Sequence, residues 1–485
     1  MTDSFPRQEA RTRRFSLGVP RAFRISPDGA RIAFLRTGSG TDPVTCLWVL
    51  DVASGQERLA ADPRTLGPYL EGTDEENLPP EERARRERVR ESAGGIVAYA
   101  TDRDVTLAVF ALSGQVHTVP LTGAGEQART VATQIPALDP RPDPTGRRLA
   151  YVCSGALRVT GLDGGDDVAV ADPQGAEGVT FGLPEFIAAE EMDRQRGYWW
   201  SPAGSALLVA RADETPVTRW HIADPAHPER TPAEVAYPAA GTPNAEVSLL
   251  LARLDGSHRP VETGSAEYPY LVTVNWEDEA EPLIVVQSRD QRRMRLLALD
   301  PGTGQTRVLL EDTDPHWLEI VPGVPARLPG GRIVWARDEA DTRRLVVLAP
   351  GQEPAAVTPP GLQVRGMLDV DGEVVLFSAS AEPTEVELWT WGPDGQHQAV
   401  LQRAGQGGGV EGGTRAGGTT VSWRRDLDTD GVTVTVHRDA LPPPHPPTFA
   451  GAIASYAERP LLPEPRPVLL SAGPREIRTA VLFPS

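Results

Sequence analysis

The sequence predicts an all-β fold, a β-propeller of about eight four-stranded blades, and two observations lead there. The first is an internal repeat. A turn, an apolar strand, a short gap, a second strand and an Asp/Gly-rich turn recur about eight times at a spacing of about 40 residues, the length of one propeller blade. The second is the character of the strands. Val, Ile, Leu, Trp and Tyr fill them in runs too apolar for a sheet with one wet face, so the sheets must stack.

The repeats follow in chain order. "ISPDGARIAFLRTG" with "CLWVLDVASGQERLA" opens the series, and "GIVAYATDRDVTLAVFALSGQ" is a weaker second copy. "PDPTGRRLAYVCSGALRVTGLDGG", "WWSPAGSALLVARADETPVTRWHIAD" and "LIVVQSRDQRRMRLLALDPGTGQTRVLL" continue it. "RIVWARDEADTRRLVVLAPGQ", "EVVLFSASAEPTEVELWTWGPDGQ" and the weaker "TTVSWRRDLDTDGVTVTVH" complete it. Pro-Asp-Gly and Pro-Ala-Gly suit the turns, because proline presets φ at the second position and glycine tolerates positive φ. Residues 1–20 read as an N-terminal extension, 21–470 as the propeller and 471–485 as the start of a link to a further domain. The Gly- and Pro-rich stretches "AGQGGGVEGGTRAGGTT" and "ALPPPHPPTF" read as loops.

Two segments interrupt the pattern with helices. Residues 73–91, "TDEENLPPEERARRERVRE", read as an arginine-rich helix inserted between blades, with Pro79 and Pro80 before the helical run. The second helix surrounds Glu190, with Pro184 near its first turn and Gly197 just past its end, the proline-first, glycine-last asymmetry of helices.

Composition excludes several function classes. A net charge of −19 repels nucleic acid and anionic membranes and suits a cationic ligand such as a free amine. All 48 basic residues are arginine, which removes a lysine nucleophile, a Schiff base and a phosphate-loop lysine. Cys46 and Cys153 read as buried thiols, too few for a disulfide framework. The histidines, from His117 to His445, lack metal-ligand spacing, and no dinucleotide fingerprint follows a strand, so neither a metal nor a cofactor is expected. Asp28, Asp143 and Asp394 fall in turns, as caps of local backbone. The N-terminus lacks the apolar core of a signal peptide and no run approaches a membrane span, which gives the expectation of a cytoplasmic protein. The lysine-free, Ala-, Arg-, Gly- and Pro-rich composition is that of a GC-rich bacterial genome.

The candidate site is Glu190 with Glu191, in "EFIAAEEMDRQRGYWWSPAG". Neighbouring helical residues point about 100° apart, so such a pair is either a solvated face or, at a helix end, a site for one shared ligand. Two converging carboxylates repel each other. A bound ammonium relieves that repulsion and donates two charge-assisted hydrogen bonds of about 1.5–3 kcal/mol each. Trp199 and Trp200 read as packing residues.

At these residues the sequence resembles the dipeptidyl peptidase IV branch of the prolyl oligopeptidase family. Glu190, Glu191, Gly197, Tyr198, Trp199, Trp200, Ser201 and Pro202 match its pattern in order, and the likeness extends to "VQSRDQRRMRLLALD", "LFSASAEPTEVELW" and "GPREIRTAVLFPS". The resemblance implies a serine dipeptidyl aminopeptidase that releases Xaa-Pro or Xaa-Ala dipeptides, with Glu190 and Glu191 holding the substrate's N-terminus. It also implies a propeller arginine on a substrate carbonyl; the run with Arg83, Arg85, Arg86, Arg88 and Arg90 offers a donor without singling one out, and a solvated arginine face is the alternative reading of each. The implied partners are peptide N-termini, an α/β-hydrolase domain normally in the same chain, and a second copy of the chain in a homodimer. The departure from the family is equally specific. The nucleophile elbow G-x-S-x-G occurs nowhere in the 485 residues, so no catalytic residue is expected in this chain and the Ser-Asp-His triad would lie beyond Ser485. The alternative is a stand-alone, non-catalytic propeller that binds peptides or proteins.

Overall fold

The computed structural model describes residues 4–66, 94–123, 125–393, 399–403, 408–427, 429–439, 448–461 and 467–483. The arginine-rich run at 73–91, with Arg83, Arg85, Arg86, Arg88 and Arg90, and Asp394 lie outside them. The fold is an all-β, eight-bladed β-propeller, and the chain divides into two compact units of four blades each.

The first unit takes the chain up to 71, 92–97, and everything from 321 onward. Its opening blade runs Arg21–Ile25, Arg31–Thr37, Val44–Asp51 and Gln56–Ala61, consecutive and antiparallel. The other three begin at Ala326–Arg327, Gln363–Asp371 and Val410–Ala416. The second unit covers 98–320, with blades that begin at Ala100–Thr101, Leu138–Pro142, Val179–Phe181 and Tyr270–Asn275.

The same turn joins the first two strands of several blades. The backbone N–H of Gly29, Gly146 and Gly204 donates to the carbonyl three residues earlier at 2.8–2.9 Å, and each glycine has φ of +66 to +68°. Asp28 accepts from Ser26 Oγ and from the Ala30 amide, and Asp143 accepts from the Thr145 and Arg148 amides, so these aspartates cap their turns. Gly29 is required twice over, because a Cβ there would stand 2.4 Å from the Gly417 carbonyl oxygen.

Between blades, apolar faces interlock. Val152, Leu157 and Val159 pack against Phe181, Tyr198 and Trp200 of the following blade, and Trp199 and Leu208 pack against Ile284 and Leu297 of the next. In the first unit Ile32, Phe34 and Leu50 meet Val421, Val434 and Val436. Cys46 and Cys153 are free, buried thiols, and burial pushes Cys46 up to about 12.

The first unit is fastened by its chain ends. Arg36, 1% exposed, donates to the Ala454 carbonyl at 2.7 Å, Glu57 at 2.5 Å and Tyr456 Oη at 3.1 Å. Its guanidinium lies 3.9 Å from the Tyr456 ring centroid and 4.5 Å from that of Trp48. The helix Phe5–Arg11 adds Gln8, which donates to Glu458 and to the Arg459 carbonyl and accepts from the Leu461 amide.

The structure differs from the sequence reading in three strands, the first being Thr448–Ala452, whose Thr448 and Phe449 close the stretch read as the loop "ALPPPHPPTF". "VEGGTRA" is not loop but the strand Val410–Ala416, paired with Thr419–Arg425. Its glycines are there for space, since a Cβ on Gly412 would sit 2.4 Å from the Trp423 ring and one on Gly413 2.6 Å from the Val421 carbonyl oxygen. Likewise "TRWHI" does not continue its blade. Arg219–Ile222 pairs with Ala233–Ala236 in a separate two-stranded ribbon, and the blade resumes at Glu246–Arg253.

His117 offers a test of the core. It is 1% exposed, stacks on Phe110 with centroids 5.5 Å apart, and burial pushes it down to about 4. Between pH 4 and 6.5 the unfolded chain binds a proton that the folded chain refuses, so stability rises with pH through that window. The full swing is about 3 kcal/mol. A His117→Leu variant should lose this slope, seen as a smaller gap in denaturation midpoint between pH 4.5 and 7 than the wild type shows.

Candidate functional site

The site is built on one short helix of the second unit, Phe186–Glu191. Its residue of entry is Glu185, whose carboxylate accepts from the Ile187 amide at 2.6 Å and the Ala188 amide at 3.0 Å and so caps the first turn. Pro184 stands immediately before the cap Glu185, beside the first turn. Glu185, Ala188, Ala189 and Met192 are buried, and their spacing defines the inward face of the helix.

Glu190 and Glu191 fall on the other side and are both exposed, in the last turn. The sequence reading thus holds for their placement together on a short helix before the Trp-Trp strand. The helix ends in side-chain and backbone bonds: the Arg194 amide donates to the Ala188 carbonyl at 2.9 Å and Gln195 Nε2 to that of Ala189 at 2.8 Å. Gly197 is not the helix's terminating residue, since it lies well beyond Met192. Its role is close packing, because a Cβ there would meet the Gly182 carbonyl carbon at 2.4 Å, while Gly197 accepts from Ala210, whose carbonyl in turn accepts from Gly182.

What anchors the helix is a buried arginine that sequence reasoning did not single out. Arg194 is 6% exposed, with Nη2 3.8 Å from Glu185 Oε1. Its Nε donates to the Leu271 carbonyl on the next blade at 3.1 Å, and Nη1 to that of Arg196 at 2.9 Å. Burial, opposed by the Glu185 carboxylate, holds Arg194 down at about 10. No helical spacing links positions 185 and 194, so only the fold reveals the pair. On the opposite flank Phe186 meets Tyr237 edge-on at 5.2 Å, and Tyr237 meets Trp220 at 5.0 Å, so the ribbon leans on the helix.

Trp199 and Trp200 are each 5% exposed and serve as core. Tyr198 is fully buried; its hydroxyl donates to the carbonyls of Asp139 at 2.5 Å and Ala150 at 3.0 Å, tying the strand after the helix to the preceding blade. Around Glu190 and Glu191, then, the backbone is fixed on three sides while both carboxylates remain open to solvent.

Comparison with known proteins agrees with this architecture. Residues 113–407, more than half of the chain, match the family model described as the dipeptidyl peptidase IV (DPP IV) N-terminal region. Venom dipeptidyl peptidase 4 of Apis mellifera is 28% identical over 195 residues, 37% of this chain and 25% of that protein. Dipeptidyl peptidase 8 of Homo sapiens is 24% identical over 167 residues, 30% of this chain and 18% of that protein. The crystal structure of Porphyromonas gingivalis dipeptidyl peptidase 4 superposes with a TM-score of 0.70 at 14% identity, covering 98% of this chain and 66% of that one. The chain therefore spans less than two thirds of the length of these relatives. By the match across 113–407 it belongs to the family of the dipeptidyl peptidase IV N-terminal region.

Proposed function

We propose that this propeller binds the free N-terminus of peptides through Glu190 and Glu191 and gates their entry to an α/β-hydrolase domain of a serine dipeptidyl aminopeptidase, which releases Xaa-Pro or Xaa-Ala dipeptides. The observation that carries the reading is the helix itself: two exposed carboxylates in one turn, on a scaffold fixed by Glu185 and Arg194. An α-ammonium there takes charge-assisted contacts that an acetylated terminus cannot. A second feature fits the same reading. The ribbon Val468–Ala472 with Ile477–Val481 leaves Val468, Leu470 and Ile477 exposed on one face and Leu469 on the other, and Leu482 and Phe483 follow it exposed, apolar surface suited to a docked domain. A homodimer in the bacterial cytoplasm belongs to the same proposal, with sedimentation equilibrium as its check.

The test is a titration of Gly-Pro and Ala-Pro peptides with free and acetylated N-termini onto the chain. Free peptides should bind at least about tenfold more tightly than acetylated ones, and Glu190→Gln with Glu191→Gln should abolish the difference. Equal affinity for the two forms in the wild type would sink the reading. Hydrolysis of the same peptides is expected only when the hydrolase domain is present.

A further inference from the structure

Beside the glutamate helix lies a positive site for which the amine-binding reading has no use. Arg141 sits on the strand Leu138–Pro142 and Arg196 just before the strand Tyr198–Trp200, two edge strands tied together by the Tyr198 hydroxyl on the Asp139 carbonyl and by Trp200 Nε1, 3.4 Å from that of Arg141. Both arginines are half-buried.

Their counter-charges are unequal. Arg141 grips Asp139 in a fork, Nη2 to Oδ1 at 2.8 Å and Nε to Oδ2 at 3.1 Å. Arg196 has no such partner: its Nε donates to the Tyr198 carbonyl at 3.1 Å, and its guanidinium lies 5.6 Å from the Trp199 ring centroid. Among the described residues no carboxylate is within ion-pair distance of it. The charged groups that face it are Arg141, which repels it, and two that attract it, Asp139 on the strand Leu138–Pro142 and Glu277 just past the strand Tyr270–Asn275. Burial and the Arg141 charge hold Arg196 down at about 9, while in Arg141 the pull of Asp139 outweighs burial and raises it. Of the two guanidiniums, then, only Arg141 holds a carboxylate within ion-pair distance.

We infer that Arg196, backed by Arg141, is an anion subsite that takes a carboxylate of a peptide whose N-terminus is held at Glu190 and Glu191. The inference rests on the peptide-binding reading above and adds a second point of recognition to it. A carboxylate entering here completes the charge balance around Arg196 and accepts from a guanidinium whose Nη groups are otherwise unbonded among the described residues. The carboxylate has two sources, an Asp or Glu side chain or the C-terminus of a short peptide.

Two peptide pairs separate the sources. Ala-Pro-Glu amide is compared with Ala-Pro-Gln amide, and Ala-Pro-Ala with a free C-terminus with its amide, each titrated onto the chain with indole fluorescence and calorimetry as readouts. At least one carboxylate form should bind about tenfold more tightly than its neutral twin, and the pair that does so names the source. Arg196→Gln should bring the ratio to within about twofold, Arg196→Lys should keep part of it, and equal thermal midpoints show that both variants fold. Glu190→Gln with Glu191→Gln should weaken all four peptides alike and leave the ratio intact, so the two readings fail separately. Equal affinities within both pairs, a preference that survives Arg196→Gln, or no saturable binding of any carboxylate peptide at about 10 mM would each overturn the subsite.

Discussion

An Arg36→Met variant should lose about 3–5 kcal/mol of stability, the usual cost of breaking a buried charge pair, with the loss concentrated at the junction of the first blade and residues 454–461. The side chain has no replacement. Three hydrogen bonds, to Ala454, Glu57 and Tyr456, leave a guanidinium stacked between Trp48 and Tyr456, so removal unpairs Glu57 and empties an aromatic slot. Thermal denaturation reads the global loss, and hydrogen exchange at 454–461 reads where it begins. Glu57→Gln should cost less, because Glu57 is 18% exposed and an amide still accepts from Arg36. Equal midpoints for wild type and Arg36→Met would mean that the aromatic contacts and Gln8 hold the junction without the charge.

The second large effect is local to the site. Glu185→Ala removes a helix cap worth about 1 kcal/mol and leaves Arg194 buried without its carboxylate, a penalty of about 3 kcal/mol or more. The six-residue helix cannot absorb that loss by itself, since helices this short depend on their anchors. The expected result is fast exchange of the Ile187 and Ala188 amides and loss of any preference for free over acetylated peptide termini, with the blades intact. Adding Arg194→Met should restore part of the stability, because removal of both partners leaves no unpaired charge. A double variant less stable than the sum of its parts would count against a direct coupling of the two residues.

The fold was legible because blade turns and strands are local signals. "SPDG" and "SPAG" carry their own hydrogen-bonding side chains, and the runs that follow are apolar on both faces, so each repeat declares itself without reference to its neighbours. What escaped was set by space or by distance. Gly412 and Gly413 read as loop residues because glycine is the common punctuator, yet here they make room for Trp423 and for the Val421 backbone. "TRWHI" reads as a blade strand because composition reports a strand and not the sheet it joins. At the site, the Glu-Glu pair was visible and its support was not. Glu185 is outside the usual capping set, and Arg194 and Arg196 acquire meaning only through Leu271, Tyr198 and Arg141, residues of other strands.

The clasp made by Arg36 and Gln8 also sets an order of events in time. Gln8 and Arg459 are separated by 451 positions and Arg36 and Ala454 by 418, so on the ribosome the opening blade pairs its own strands early but waits for residues 454–461 before the clasp can close. The four blades of 98–320 are contiguous in sequence, so the packing among them can form earlier. Synthesis therefore delivers a packed middle first, while the N-terminal strands, with Ile32 and Phe34 not yet covered by Val421, Val434 and Val436, stay open to proteases and to wrong pairings.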